Sequence, residues 1–160
     1  MLKRKVYQEL LKWKENTEGK ALYIIGARQI GKTTLIREFG KNEYEHFAEI
    51  NFVTDEKAAD IFKDKLTAEA IITNLTAYLQ TPLEPGKTLI LFDEVQECPA
   101  VRSAIKFLVE DGRFDYIESG SLLGVRYKEV RSYPVGFEQI LPMYPLDFEE
   151  YLWANGVQDK

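Results

Sequence analysis

Apolar positions along the chain alternate between a helical and an extended period. Val6, Leu10 and Trp13 recur at spacings of four and three, which predicts one face of an amphipathic helix over 5–16. Ala21–Ile25 is an unbroken apolar run that stops at Gly26, and it predicts a short buried strand. Thr33–Phe39 predicts a helix, with Gly40 as its stop. Ala48, Ile50 and Phe52 alternate with Glu49 and Asn51, the period of a strand. Residues 55–63 and 67–80 predict helices, the second with Ile71, Leu75, Tyr78 and Leu79 on one face. Thr81–Gly86, with Pro82 and Pro85, is a loop. Thr88–Phe92 is a second buried strand. Pro99 opens a helix running to about Glu110, which Asp111-Gly112 ends. Asp115–Glu118 predicts a fourth strand, residues 137–143 a fifth, and 147–154 a terminal helix.

Strands that alternate with helices predict an α/β fold: a mainly parallel sheet covered by helices on both faces. In such sheets ligands sit beyond the carboxyl ends of the strands. The polar clusters that carry chemistry here all follow predicted strands. No internal repeat or low-complexity segment interrupts the pattern.

Composition narrows the reading. The chain has 160 residues, the size of one domain, with 45% hydrophobic and 29% charged residues, which excludes a disordered tail or a fibre. Its net charge of −5 lends no support to a dedicated nucleic-acid binder. The six basic residues among the first twenty form a phosphate-facing patch or a solvated helix face. One cysteine, Cys98, and one histidine, His46, allow no intrachain disulfide and no zinc site of their own. No apolar run approaches the ~20 residues of a membrane helix, and the N-terminus lacks a signal-peptide core. The default expectation is a soluble cytoplasmic protein without a membrane partner.

Gly26-Ala27-Arg28-Gln29-Ile30-Gly31-Lys32-Thr33 matches G-x-x-x-x-G-K-[ST] between a predicted strand and a predicted helix. Glycines let the backbone curl so that successive N–H groups face an anion, and the helix start adds partial positive charge. Lys32 supplies a full charge to the β- and γ-phosphates of a nucleotide. Thr33, followed by Thr34, offers a hydroxyl to Mg²⁺, a hard cation that takes oxygen ligands. Arg28 touches a phosphate or a neighbouring subunit, or faces solvent as a variable position.

Asp93-Glu94 closes the strand 88–92. A nucleotide-bound Mg²⁺ needs a carboxylate near Thr33, and Asp93 is placed for it. Glu94 is the candidate general base for an attacking water. A G-protein would need an N-K-x-D string to read guanine, and none is present. Ser119 and Ser121 follow the fourth strand, where a short hydroxyl reaches the γ-phosphate or the water, or forms a plain turn.

Taken together, GARQIGKTTL, LFDEVQECP, ESGSLLG and PMYPLDFEEYL resemble the AAA-type ATPases of bacteria and archaea that carry a C-terminal domain of unknown function. The resemblance covers residues 20–154. It implies a P-loop, three-layer α/β/α core with strand order 5-1-4-3-2, ATP as ligand, Lys32 and Thr33 in the Walker A role, Asp93 on Mg²⁺, Glu94 as catalytic base, and Ser119 or Ser121 as sensor. Gln96 matches the family pattern without an assigned role. The expected division is an N-terminal helix, 1–18, and an ATPase core, 19–160. The family's helical lid and C-terminal domain are not recognisable in the chain, which reads as a fragment or an isolated domain. Phe137 follows Gly136 where relatives often carry a basic residue. An arginine finger acting across a homo-oligomer is therefore unassigned, with Arg113, Arg126 and Arg131 as candidates against an ordinary surface role. Two functions remain: an ATP-hydrolysing domain, or an ATP-driven switch with little turnover. A third places the biology in an absent C-terminal domain or protein partner.

Overall fold

A computed structural model describes residues 4–17, 19–27, 29–121 and 136–157. Five parallel strands form one sheet: β1 (Ala21–Gly26), β2 (His46–Asn51), β3 (Thr88–Asp93), β4 (Asp115–Ser121) and β5 (Glu138–Pro142). Their spatial order is β2-β3-β4-β1-β5, as the resemblance implied. Every residue of β1 and β3 is buried, which explains why both read as continuous apolar runs.

Helices α1 (Val6–Glu15) and α2 (Lys32–Glu43) cover one face. Leu10 and Trp13 of α1 join Leu35, Ile36 and Phe39 of α2 over Leu22, Ile24 and Leu91 of the sheet. The Trp13 indole N–H donates to the Lys20 carbonyl at 3.1 Å and ties α1 to the start of β1. Helices α3 (Ala68–Leu79) and α4 (Pro99–Asp111) cover the other face. There Ile71, Leu75, Ala104 and Ile105 pack on Ile90 and Phe92. A short helix, α5 (Phe148–Ala154), follows β5 behind a capping box of Asp147 and Glu150. No helix among the described residues is long and apolar enough to cross a membrane.

Three local expectations are corrected. Helix α2 runs past Gly40 to Glu43. Gly40 is instead a packing position: a Cβ there would collide with the Phe47 ring of β2. The helix expected over 55–63 is a 3-10 helix, Glu56–Phe62. Its buried Ala58 and Ile61 stand three apart, the spacing that eclipses in a three-residue turn. Finally, β4 extends through Ser119-Gly120-Ser121, because β1 continues to pair with it up to Gly26 opposite Ser121.

Beneath α4 lies a buried ionic cluster. Glu118 of β4 is fully buried beside Glu138 of β5. Arg102 of α4 stands 3.3 Å from Glu118, bonds to Glu138 and stacks on the Tyr23 ring at 4.0 Å. Burial, then the Glu138 carboxylate beside it, pushes the Glu118 carboxyl well above its ordinary range.

Candidate functional site at the carboxyl ends of the strands

β1 delivers its last residue, Gly26, to a crowded point. A Cβ there would meet the Met143 carbonyl oxygen at 2.5 Å and the Ile30 side chain at 2.7 Å, so the strand can end here only in glycine. Gly31, with φ of +88°, caps α2 in the left-handed region that glycine enters without strain. The first turn of α2 contains no acidic residue, so its N-terminal N–H groups face no carboxylate of their own turn. Lys32 turns back across the loop: its ammonium donates to the Gly26 carbonyl at 3.0 Å and the Ala27 carbonyl at 2.5 Å. It is only 7% exposed, well below the norm for lysine. Arg28 lies outside the described residues.

Asp93 ends β3 directly beneath the loop. Its Oδ2 accepts from the Thr33 hydroxyl at 3.0 Å, and its Oδ1 accepts from the Ser119 hydroxyl. The Asn51 amide, opposite Asp93 in the β2–β3 register, donates to Oδ2 at 3.4 Å. Burial raises the Asp93 carboxyl above its ordinary value of 3.8, and the charges of Glu94 and Glu49 push the same way. The hydroxyls of Ser119 and Thr33 partly offset this. A buried carboxylate beside a threonine hydroxyl is a hard-oxygen donor set, and it fits Mg²⁺.

Glu94 follows in the left-handed region, φ +60°, an unusual conformation for a residue with a Cβ. This turn brings its side chain to a cavity of about 380 Å³ together with Lys32, Thr33, Thr34, Gln29 and Asn51. The Gln96 amide donates to one Glu94 carboxylate oxygen. Ser121 lies two residues beyond Ser119, buried opposite Gly26. A second cavity, about 690 Å³ and mostly apolar, shares Gly31 and Thr34 with the first and opens between Ile30, Leu35, Pro145 and Leu146, with Arg4 at its wall.

The structure thus gathers Lys32, Thr33, Thr34, Asp93, Glu94 and Ser119 around one loop. Arg113 is not among them. It precedes β4 at the opposite end of the sheet, held by Asp111 at 2.9 Å and Glu69 at 3.3 Å. Arg126 and Arg131 lie outside the described residues. Asn51 and Arg4 were not singled out from the sequence. Asn51 carried a weak signal, as the polar residue that closes an alternating strand. Arg4 carried none beyond its charge.

Comparisons with known proteins bear on this arrangement. A family model described as an AAA domain matches residues 18–152. Among solved structures, a point variant of Thermotoga maritima RuvB aligns with a TM-score of 0.50 at 20% identity, over 88% of this chain and 44% of that one. Another Thermotoga maritima structure, titled RuvB Holliday junction branch migration motor, aligns with a TM-score of 0.49 at 13% identity, over 88% and 45%. Caenorhabditis elegans PCH-2 aligns with a TM-score of 0.47 at 13% identity, over 89% and 40%. The chain therefore spans under half the length of these structures. No curated protein sequence matches it.

Proposed function

The chain belongs to the AAA domain family, and from that premise we propose that it binds Mg-ATP and hydrolyses it to ADP and phosphate. The observation that carries this reading is the contact of Thr33 and Ser119 with the two oxygens of buried Asp93, directly under a loop closed by Lys32. Gly26–Thr34 cradle the phosphates, and Lys32 holds their β–γ end. The nucleoside extends into the apolar cavity between Ile30, Leu35, Pro145 and Leu146. Thr33 and Asp93 would hold Mg²⁺, which would neutralise charge on the phosphates. Glu94 accepts the proton of a water attacking the γ-phosphorus, and the bond to the β–γ bridging oxygen breaks to release ADP. Ser119 orients Asp93, with Ser121 next along the same strand. Finer kinship with the branch that carries a C-terminal domain of unknown function rests on LFDEVQECP and PMYPLDFEEYL. Further copies of the chain, or a protein partner, belong to the same proposal, as does the division into an N-terminal helix and an ATPase core. The expected cytoplasmic location stands with them.

A switch with little turnover is the second reading, and one observation favours it: Gln96 occupies a Glu94 oxygen that a base would turn toward water. Calorimetry with Mg-ATP, with phosphate release followed on the same sample, tests both. Binding with release above background supports hydrolysis. Binding with none supports the switch. No binding refutes both.

Asp93 supplies a separate prediction. Its carboxyl holds a proton more tightly in the folded protein than in the unfolded chain, so its ionisation costs stability as pH rises through the folded value. The penalty is absent below about 3.8 and present at neutral pH. Asp93→Asn removes it. At pH 7 the ligand-free variant should therefore melt at or above the wild-type temperature. Mg-ATP at a hundred times its Kd adds about 2.7 kcal/mol to the wild type, a rise of about 5–10 °C. That rise should vanish in Asp93→Asn, as a thermal melt with and without Mg-ATP would read.

A further inference from the structure

Arg4 stands before α1, far in sequence from the phosphate loop, yet its guanidinium reaches three separate segments. Nη1 donates to the Ile30 carbonyl at 2.9 Å, inside the loop. Nη2 donates to the Tyr144 carbonyl at 2.5 Å, just after β5. Nε pairs with Glu150 of α5 at 3.0 Å. The two side chains are 9% and 7% exposed. Glu150 is fully engaged: one oxygen also accepts the Lys5 N–H at 2.9 Å, and the other the Asp147 N–H at 3.1 Å. Lys5 adds ion pairs to Asp147 at 2.8 Å and Glu149 at 3.2 Å.

We infer that Arg4 is a positioning residue of the phosphate loop, and that through Glu150 it couples nucleotide occupancy to the seating of α5. The inference rests on the nucleotide reading above. In a trans peptide the carbonyl and the next N–H point in opposite directions. Holding the Ile30 oxygen at Arg4 therefore aims the Gly31 N–H away from Arg4. Gly31 is itself in the left-handed region and has no Cβ, so nothing in the residue resists a flip of that peptide plane. Arg4 supplies the missing restraint. A loop that binds an anion through its N–H groups depends on this orientation. The planar guanidinium serves three acceptors in fixed directions, which a lysine ammonium cannot do. Coupling is reciprocal: if Arg4 and α5 favour the binding-competent loop, a bound nucleotide favours seated α5 by the same factor.

The test uses the full chain. Mg-ATP affinity is measured by calorimetry for wild type, Arg4→Ala, Arg4→Lys and Lys32→Ala, at a temperature well below every melting point. Hydrogen exchange of the Phe148–Ala154 amides is followed with and without Mg-ATP. Arg4→Ala should weaken Mg-ATP about tenfold, within the usual range of coupling between sites. Arg4→Lys keeps the charge beside Glu150 and should still lose most of that affinity while melting near wild type. Mg-ATP should slow exchange in α5 of the wild type and leave it unchanged in both Arg4 variants. An arginine that only stabilised the fold would lower the melting point without making α5 exchange respond to nucleotide. Should Arg4→Ala fail to fold, Arg4→Lys decides. Wild-type affinity in Arg4→Lys, or α5 exchange indifferent to Mg-ATP in the wild type, overturns the coupling. Binding that needs Lys32 and ignores Arg4 overturns the coupling alone. A wild type that binds no Mg-ATP, or a Lys32→Ala variant that binds as well as wild type, overturns the nucleotide reading beneath it.

Discussion

Lys32→Ala should weaken Mg-ATP binding by roughly one to four orders of magnitude while leaving the fold in place. The ammonium is buried and held by the Gly26 and Ala27 carbonyls, so its position is set before any ligand arrives. A phosphate entering the loop meets a full positive charge in a poorly hydrated setting, where attraction is stronger than in water. Truncating one partner of such a charge pair costs about 2–5 kcal/mol. That corresponds to about 30- to 5,000-fold in Kd. The variant loses those carbonyl contacts but also the burden of a buried charge, two effects of opposite sign. Its thermal midpoint should therefore stay within about 4 °C of wild type, the shift that ~1 kcal/mol produces in a domain of this size. Calorimetry and a thermal melt on one preparation separate the two effects. Binding within twofold of wild type would mean that Lys32 does not face the phosphates.

Glu94→Gln should leave that affinity intact and remove turnover. The substitution keeps the size of the side chain and leaves an amide oxygen to accept from Gln96, so the strained turn at φ +60° is undisturbed. What disappears is the ability to take a proton from water. General bases contribute about 10²–10⁴-fold, so phosphate release at saturating Mg-ATP should fall by about that factor. Release at the wild-type rate would dismiss Glu94 as the base, and output of a longer protein that survives the change would favour the switch.

The parts of the candidate site that are legible in the sequence are those whose residues are neighbours along the chain. Gly26, Gly31, Lys32 and Thr33 lie in one turn, so a string suffices to find them. β1 and β3 are buried on both faces, so their apolar runs were unambiguous. What escaped depends on contacts between distant segments. Gly40 resembles a helix stop until the Phe47 ring is seen against it. Asn51 joins Asp93 only through the β2–β3 register. Arg4 belongs to the loop only because α1 folds back beside α5. Glu118 falls within a buried strand, and neither its partners nor the upward push on its carboxyl is visible without Arg102 and Glu138.

The strand order has a consequence for how the protein is made. β1 carries the phosphate loop but lies between β4 and β5, both from the second half of the chain. As the polypeptide leaves the ribosome, β1 emerges first and waits longest for neighbours. β2 and β3 can pair with each other before it has any. Such non-local pairing is slow. A nascent chain that stops short of β4 would contain the whole G-x-x-x-x-G-K-T string, yet it would have no sheet to fix Gly26 and no Ser119 beside Asp93. On the proposed function, a nucleotide would therefore bind only a chain that has already brought its two halves together, and would not template the early steps of folding.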